Sequence, residues 1–204
     1  MGIAIPERTT GRMTDAEFRA FQQHRPDHER WELIAGVPMM MTPPTIVHNW
    51  IATNLCTLLN DALSVHDRSR IAVQRTGVEL GNEQYRPEPD ACVIDADFAA
   101  NQRFAGRAYL LAEVVSASDE VSFPPMRDSW IDLKRKLYRA HSSCQTILIV
   151  QQGQVEVEVD QRSGEGWHTE TLRGLSTELE LPAFNLRCPL CQLYEGTPLK
   201  PRGK

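Results

Sequence analysis

No apolar run in the 204-residue chain approaches the ~18 residues that cross a bilayer, so a membrane-spanning helix is not expected. The N-terminal stretch MGIAIPERTTGRMTDAEF has no long apolar core of the kind a secretory leader needs, and Gly2 stands in no lipidation context. A cytoplasmic location is therefore expected. Positive charge is in deficit: 22 Lys and Arg stand against 27 Asp and Glu, a net charge of −5. That excludes a molecule-wide basic field, and with it non-specific coating of nucleic acid, but not a local basic site. Cysteine is sparse and unpatterned. The five residues Cys56, Cys92, Cys144, Cys188 and Cys191 are odd in number and scattered, which favours reduced thiols. Cys188-Pro-Leu-Cys191 has the spacing of a zinc knuckle, but no second pair supplies the remainder of the roughly four ligands zinc takes. Two ordinary thiols are expected there. Internal repeats and low-complexity segments are also missing. What is present is 41% hydrophobic and 24% charged residues, enough for one packed domain.

The order of elements comes from periodicity. Thr14-Asp-Ala-Glu17 is a capping box that opens a short helix with Phe18 and Phe21 inward. RWELIAGVPMMM reads as a hairpin around Ala35-Gly36. Pro43-Pro44-Thr45 opens a helix to about Ala62, with Ile51, Leu55, Leu58, Leu59 and Ala62 at helical spacing and His48 on the same face. Strands come next over 71–80, 91–95 and 108–115, the last nearly all apolar and so central. The Ser- and Pro-rich stretch SASDEVSFPPMRDS leads to a helix over about 129–140, then a buried strand over 145–150. QVEVEVD alternates valines with acids, the pattern of a half-exposed antiparallel strand. WHTETLR and the segment around Leu179 are expected to extend the sheet, and the tail from Pro198 to fray. The fold class expected is α/β or mixed α+β, with a central sheet.

Two carboxylates stand out. In PEPDACVID, Asp90 enters an apolar strand directly after two prolines; it is either a solvated turn residue or an acid aimed from the sheet at something. Glu113 lies inside AYLLAEVV, where a charge is costly unless it is paired or binds a cation. An arginine partner or a water-facing edge would be the plain explanation. Lys134 is the third residue. With Lys134 as origin, Trp130, Ile131, Leu137, Tyr138 and His141 fall within about 60° of it on the helix, whereas Asp132, Arg135, Lys136 and Arg139 fall on the other side. A lysine at the centre of an apolar face either snorkels or meets an inward negative charge. Two acids and a lysine at the end of a sheet have a known use: the acids hold a divalent metal through hard oxygens, and the lysine orients a water or steadies developing charge.

In their order and spacing, RWELIAGVPMMMTPPTIVHNWI, RPEPDACVID, YLLAEVVSASD and DLKRKLYRAHSSCQTILIV resemble the Uma2 family of putative restriction endonucleases, a branch of the PD-(D/E)xK nuclease superfamily. The resemblance covers roughly residues 13–198, taken as a single domain between a flexible N-terminus (1–12) and a flexible tail (199–204). It implies a restriction-endonuclease-like mixed sheet flanked by helices, with an N-terminal helix and hairpin. Asp90 is implied as the first acid and Glu113 as the second, with Mg2+ or Mn2+ held by both and by the carbonyl of Val114. The superfamily's lysine two residues after the second acid is replaced by Val115. In the family the lysine stands on the following helix in a K-x-x-x-Y arrangement, here Lys134 and Tyr138. Ser116-Ala117-Ser118-Asp119 replaces the family's Ser-Pro-Ser-Thr. Glu32 and His48 match the family's N-terminal pattern. Glu32 either completes the metal shell, holds a water, or is a surface hairpin acid; His48 either touches phosphate or metal, or is a satisfied core histidine. Asp95 and Asp97 are expected in a turn. Ser116 with His141 has no third group or oxyanion loop and is discounted as a nucleophile.

The activity expected is Mg2+-dependent hydrolysis of DNA by water, leaving a 5′-phosphate, by a homodimer. Arg127, Arg135 and Arg139 either contact phosphates or are solvent charges. With a net negative chain, affinity has to come from a local patch and is expected to fall steeply with salt. The rivals are a catalytically silent binding or regulatory protein on the same fold, and a hydrolase of RNA or small phosphate esters.

Overall fold

The strand alternation builds a six-stranded sheet with a helix on each face. A computed structural model describes residues 12–26, 28–116, 129–164 and 166–203. In chain order the elements are α1 (Asp15–Gln23), β1 (Trp31–Ile34), β2 (Val37–Met40), α2 (Ile46–His66), β3 (Arg70–Val73), β4 (Gly77–Val78), β5 (Ala91–Asp95), β6 (Phe104–Ala105), β7 (Ala108–Val115), α3 (Trp130–Ala140), β8 (Thr146–Gln151), β9 (Glu156–Ser163), β10 (Gly166–Arg173), β11 (Glu178–Leu181), a 3-10 turn (Pro182–Phe184), β12 (Leu186–Pro189) and α4 (Leu190–Leu193). The main sheet runs β10-β9-β8-β7-β5-β3. Only β7 and β8 are parallel; the other neighbours are antiparallel. A parallel pair needs a crossover, and α3 lies in it. Arg127 and the Ala117–Asp119 loop lie outside the described residues. Among those described, no helix is long and apolar enough to cross a membrane.

The two faces of β7 separate by residue parity, since a strand points successive side chains to opposite sides. Leu110, Ala112 and Val114 pack with α2 residues such as Ile51, Leu55 and Leu59. Leu111 and Val115 join Tyr138, Ile147 and Ile149 on the α3 side. Glu113 lies between Leu111 and Val115 in parity and so faces α3. The second helix runs four residues beyond the expected end, to His66, with Leu63 still buried in the core. Trp50 Nε1 donates to the Glu195 carbonyl at 2.7 Å, and Asn54 Nδ2 to the Leu193 carbonyl at 2.9 Å.

Three expectations need correction. The run 71–80 is not one strand: Arg75 takes a left-handed φ of 54°, which ends β3 and sends β4 into a separate parallel pair with β6. The segment around Leu179 does not extend the sheet but pairs with β12 as its own hairpin. Asp95 is the last residue of β5 rather than a turn residue, accepting from Arg107 Nε and Tyr109 Oη at 2.8 Å. The C-terminal chain returns on itself, with Lys200 bridging to Glu195 and Thr197 and Arg202 stacked over Trp50. Cys188 is buried in the core, and all five cysteines are free thiols.

The β4–β6 pair steadies the entrance of β5, because the Val78 amide donates to the Pro87 carbonyl at 3.1 Å and so fixes the approach to Asp90. Gly77 faces the Phe104 ring so closely that a Cβ would lie 2.4 Å from a ring carbon. Gly77→Ala is expected to cost about 1–3 kcal/mol through overpacking, read as a lowered denaturant midpoint with an unchanged slope.

Candidate active site

The hairpin, the entrance of β5, the end of β7 and the inward face of α3 meet at one cleft of ≈ 550 Å³. The hairpin closes on Ala35 and Gly36, both at positive φ (50° and 77°), as a two-residue primed turn requires. Glu32 and Met39 are register partners and share the face turned to the cleft, while Trp31 and Leu33 pack under α1 against Phe18. Glu32 is therefore no surface acid: it is fully buried. Its Oε1 accepts from Lys134 Nζ at 2.9 Å and from the Glu88 amide at 2.8 Å. Its Oε2 is buried without a hydrogen-bond partner among the described residues.

The prolines around Glu88 explain that second bond. Neither Pro87 nor Pro89 has an amide hydrogen, so the Glu88 N–H is the one donor in the Pro-Glu-Pro stretch, and Glu32 takes it. Asp90 then points along the sheet edge. Its Oδ2 accepts from the Val114 amide at 2.9 Å and meets His48 Nε2 at 3.0 Å. The carboxylate thus continues the β5–β7 ladder by one side chain and ties it to the first turn of α2. Thr45 caps that turn through the His48 amide at 3.1 Å. His48 Nε2 is thus engaged by Asp90, while its Nδ1 is buried without a hydrogen-bond partner among the described residues.

Glu113 is held by α3. Lys134 Nζ donates to both of its oxygens at 3.1 Å, and Tyr138 Oη donates to Oε1 at 2.5 Å. Trp130, Lys134 and Tyr138 recur every fourth residue, so one ladder of side chains descends from the cleft mouth to its floor. Glu32, Asp90, Glu113, Lys134, Tyr138, His48 and Val114 are all brought together. Ser116 also lines the cleft but His141 does not join it: His141 Nε2 accepts from the Ala108 amide at the far end of β7.

Charge in the cleft is unbalanced. Burial pushes the Glu113 acid up to about 8; Lys134 and Tyr138 pull it down, but the Asp90 and Glu32 carboxylates add to the rise. Burial opposes the charge on Lys134, yet Glu113, Glu32 and Asp90 outweigh it and hold the ammonium above its ordinary pKa. Burial likewise opposes ionisation of Asp90, but His48, Lys134 and the Val114 amide keep its carboxyl below the usual range. Glu88, raised by burial and by Glu32 against the pull of Arg30, adds a fourth acid. Sequence reasoning passed over Glu88 and Arg30 and placed Trp130 on the inward face of its helix without a role; all three line the cleft. The signal for Glu88 was its place between two prolines, where its only amide hydrogen is spoken for.

Arg135 and Arg139 do not face the cleft. Arg135 binds Glu158 (2.6 Å) and Asp160 (2.5 Å), and Arg139 binds Asp160 (2.9 Å), on the outer side of α3. They clamp the helix to β9 and so help set where Lys134 sits.

The sequence pattern of Uma2, described as a putative restriction endonuclease, matches residues 15–190. Among solved structures, the chain is similar to the crystal structure of a putative nuclease belonging to DUF820 from Anabaena variabilis ATCC 29413. The two share 16% identity, the match covers 89% of this chain and 97% of that one, and the TM-score is 0.66. That likeness bears on the fold. No curated protein matches.

Proposed function

The chain belongs to the Uma2 family of putative restriction endonucleases, and on that footing we propose that it is a metal-dependent endonuclease hydrolysing DNA phosphodiester bonds with water. The observation that carries the reading is the crowding of three buried carboxyl groups: burial and the neighbouring carboxylates push Glu113 up to about 8. Glu32 and Glu113 share a single ammonium, Lys134, and Asp90 beside them meets His48; the three carboxyl side chains are 0–11% exposed. Ionising all three together is costly unless a cation offsets them.

The donor set fits a hard divalent ion, Mg2+ or Mn2+, because it consists of carboxylate and carbonyl oxygens. Among the described residues no three acidic, His or Cys side chains are gathered as a ready-made metal cage; Lys134 stands between Glu32 and Glu113. Asp90, Glu113 and the Val114 carbonyl are the residues that would hold the ion, and Mg2+ is commonly bound by one or two carboxylates with several waters retained. When bound, the ion polarises the phosphodiester and lowers the pKa of a water. The chain's own part is positional. The Val114 amide and His48 aim Asp90, and Tyr138 aims Glu113. Glu32 fixes the Lys134 rotamer so that the ammonium points into the cleft, where it orients the attacking water and offsets charge developing on the phosphate. By family resemblance the product carries a 5′-phosphate.

The test is cleavage of a supercoiled plasmid and of a circular single strand with Mg2+ or Mn2+, wild type beside Glu113→Ala and Lys134→Ala. Wild type is expected to cut only with metal, and each variant to fall by about 10²-fold or more, the loss typical of removing one group that steadies transition-state charge. Equal cutting by all three removes the assignment. A silent binding protein would show no Mg2+-linked rise in melting temperature that vanishes with Asp90→Ala.

A further inference from the structure

The cleft has two unlike halves, and only the acidic half takes part in holding a metal and a water. Its other half is an apolar wall made by Met39, Met41, Pro43, Pro44, Trp130 and Ile131. The wall reaches the reacting groups: Lys134 Nζ lies 5.6 Å from the centre of the Trp130 ring. Met39 faces the cleft because it pairs with Glu32 across the hairpin. An apolar wall one side chain away from a phosphodiester-binding group has no use for a phosphate. It suits the flat face of a base.

Charge points the same way. The cleft is lined by four acids, Glu32, Glu88, Asp90 and Glu113, against Arg30 and Lys134. Arg30 is turned toward Glu88 at 3.5 Å and Lys134 is shared by Glu32 and Glu113. Arg135 and Arg139 are held by Asp160 and Glu158 on the other side of α3. These side chains do not form a basic track for a long run of phosphates. The volume, ≈ 550 Å³, lies in the range of small-molecule pockets, about 300–1,000 Å³. That is room for a nucleotide whose base has left the stack.

We infer that the site takes unpaired DNA, with the base beside the scissile phosphate lying on Trp130 and against Met39 and Met41. This rests on the endonuclease reading and names its substrate class. Stacking on an aromatic ring tolerates any base, since every base has a π-face, so the wall selects for strand state rather than for sequence. Affinity drawn from stacking also depends little on salt. The steep fall that a backbone-tracking protein shows is replaced by a slope of about one or two phosphates, given the ~0.7 per phosphate of single strands.

The experiment measures binding by fluorescence anisotropy of a labelled single-stranded oligonucleotide and of the same sequence as a duplex. It is run with Mg2+ and with EDTA at several salt concentrations, for wild type, Trp130→Ala and Trp130→Phe. The single strand is expected to bind at least tenfold more tightly than the duplex. Trp130→Ala should lose about ten- to a hundredfold of that affinity, the range measured for one stacked base, while Trp130→Phe retains most of it. Melting temperature in the same buffers separates loss of stacking from loss of fold. Tighter duplex binding together with metal-dependent cutting overturns the inference and leaves the endonuclease reading standing. No binding of either form overturns both. If Trp130→Ala leaves strand affinity unchanged but turns a dimer into a monomer, the wall is an interface between copies and the inference fails.

Discussion

Lys134→Met lowers the melting temperature in EDTA by about 10 °C. Lys134 is 3% exposed, Glu113 6% and Glu32 0%. Methionine fills the space of the lysine stem but leaves buried Glu32 without its counter-charge and Glu113 without its ammonium donor, and breaking a buried pair in this way costs about 3–5 kcal/mol. In a chain of this length each kcal/mol moves the midpoint by roughly 2–4 °C. Two further measurements separate this account from a simple packing defect. Adding Glu32→Gln to Lys134→Met should restore part of the loss, because the second change removes one of the stranded charges, and groups in one network do not add independently. Mg2+ should raise the midpoint of Lys134→Met by more than that of wild type, since the ion then has the whole carboxylate surplus to offset. A Lys134→Met protein that melts with wild type in EDTA would mean that the ammonium offsets no carboxylate charge of Glu32 or Glu113 in the folded chain.

Asp160→Asn is the second large effect, and it lies outside the cleft. Asp160 is 1% exposed and receives Arg135, Arg139 and the Thr169 hydroxyl. Burial works against its ionisation, but Arg135, Thr169 and Arg139 outweigh burial and hold the carboxyl below the ordinary range. Its folded pKa is thus lower than its unfolded one. The stabilisation is full above the unfolded value near 4 and is lost as pH falls through the lower folded value. Because Arg139 is partly solvated, the neutral-pH cost of Asp160→Asn is set at about 2–3 kcal/mol, below that of a fully buried pair. Urea melts from pH 7 downward should show the variant weaker at neutral pH and the two proteins converging as acid titrates Asp160 in the wild type. A constant gap across that range would mean that the charge on Asp160 contributes nothing. The same variant loosens α3 from β9, so the rate of cleavage should fall with stability even though Asp160 does not line the cleft.

Much of the fold was legible one residue at a time. The capping box at Thr14 and Glu17, the hairpin turn at Ala35-Gly36 and the strands at 91–95 and 108–115 rest on local rules, and all of them stand in the folded chain. Lys134 was legible for a similar reason: it is a charge on an apolar helical stripe, and periodicity alone exposes that conflict. Glu32 was not. A hairpin acid looks solvated until the helix that covers it is known, and that helix begins 98 residues later in the chain, at Trp130 against Glu32. Asp160 misled in the same manner. Its alternation with Val157 and Val159 reads as an outward acid, but the outward face of β9 is covered by the arginines of α3.

Residue order alone set the strand faces, the helix stripe and the identity of two acids and a lysine whose local surroundings were apolar, because those conflicts arise between neighbours in the chain. Folding in space decided which side of each remaining acid meets water, which arginines are spent on ion pairs, and that an aromatic and methionine wall stands beside the acids. Burial and pairing depend on elements distant in sequence, and no local pattern records them.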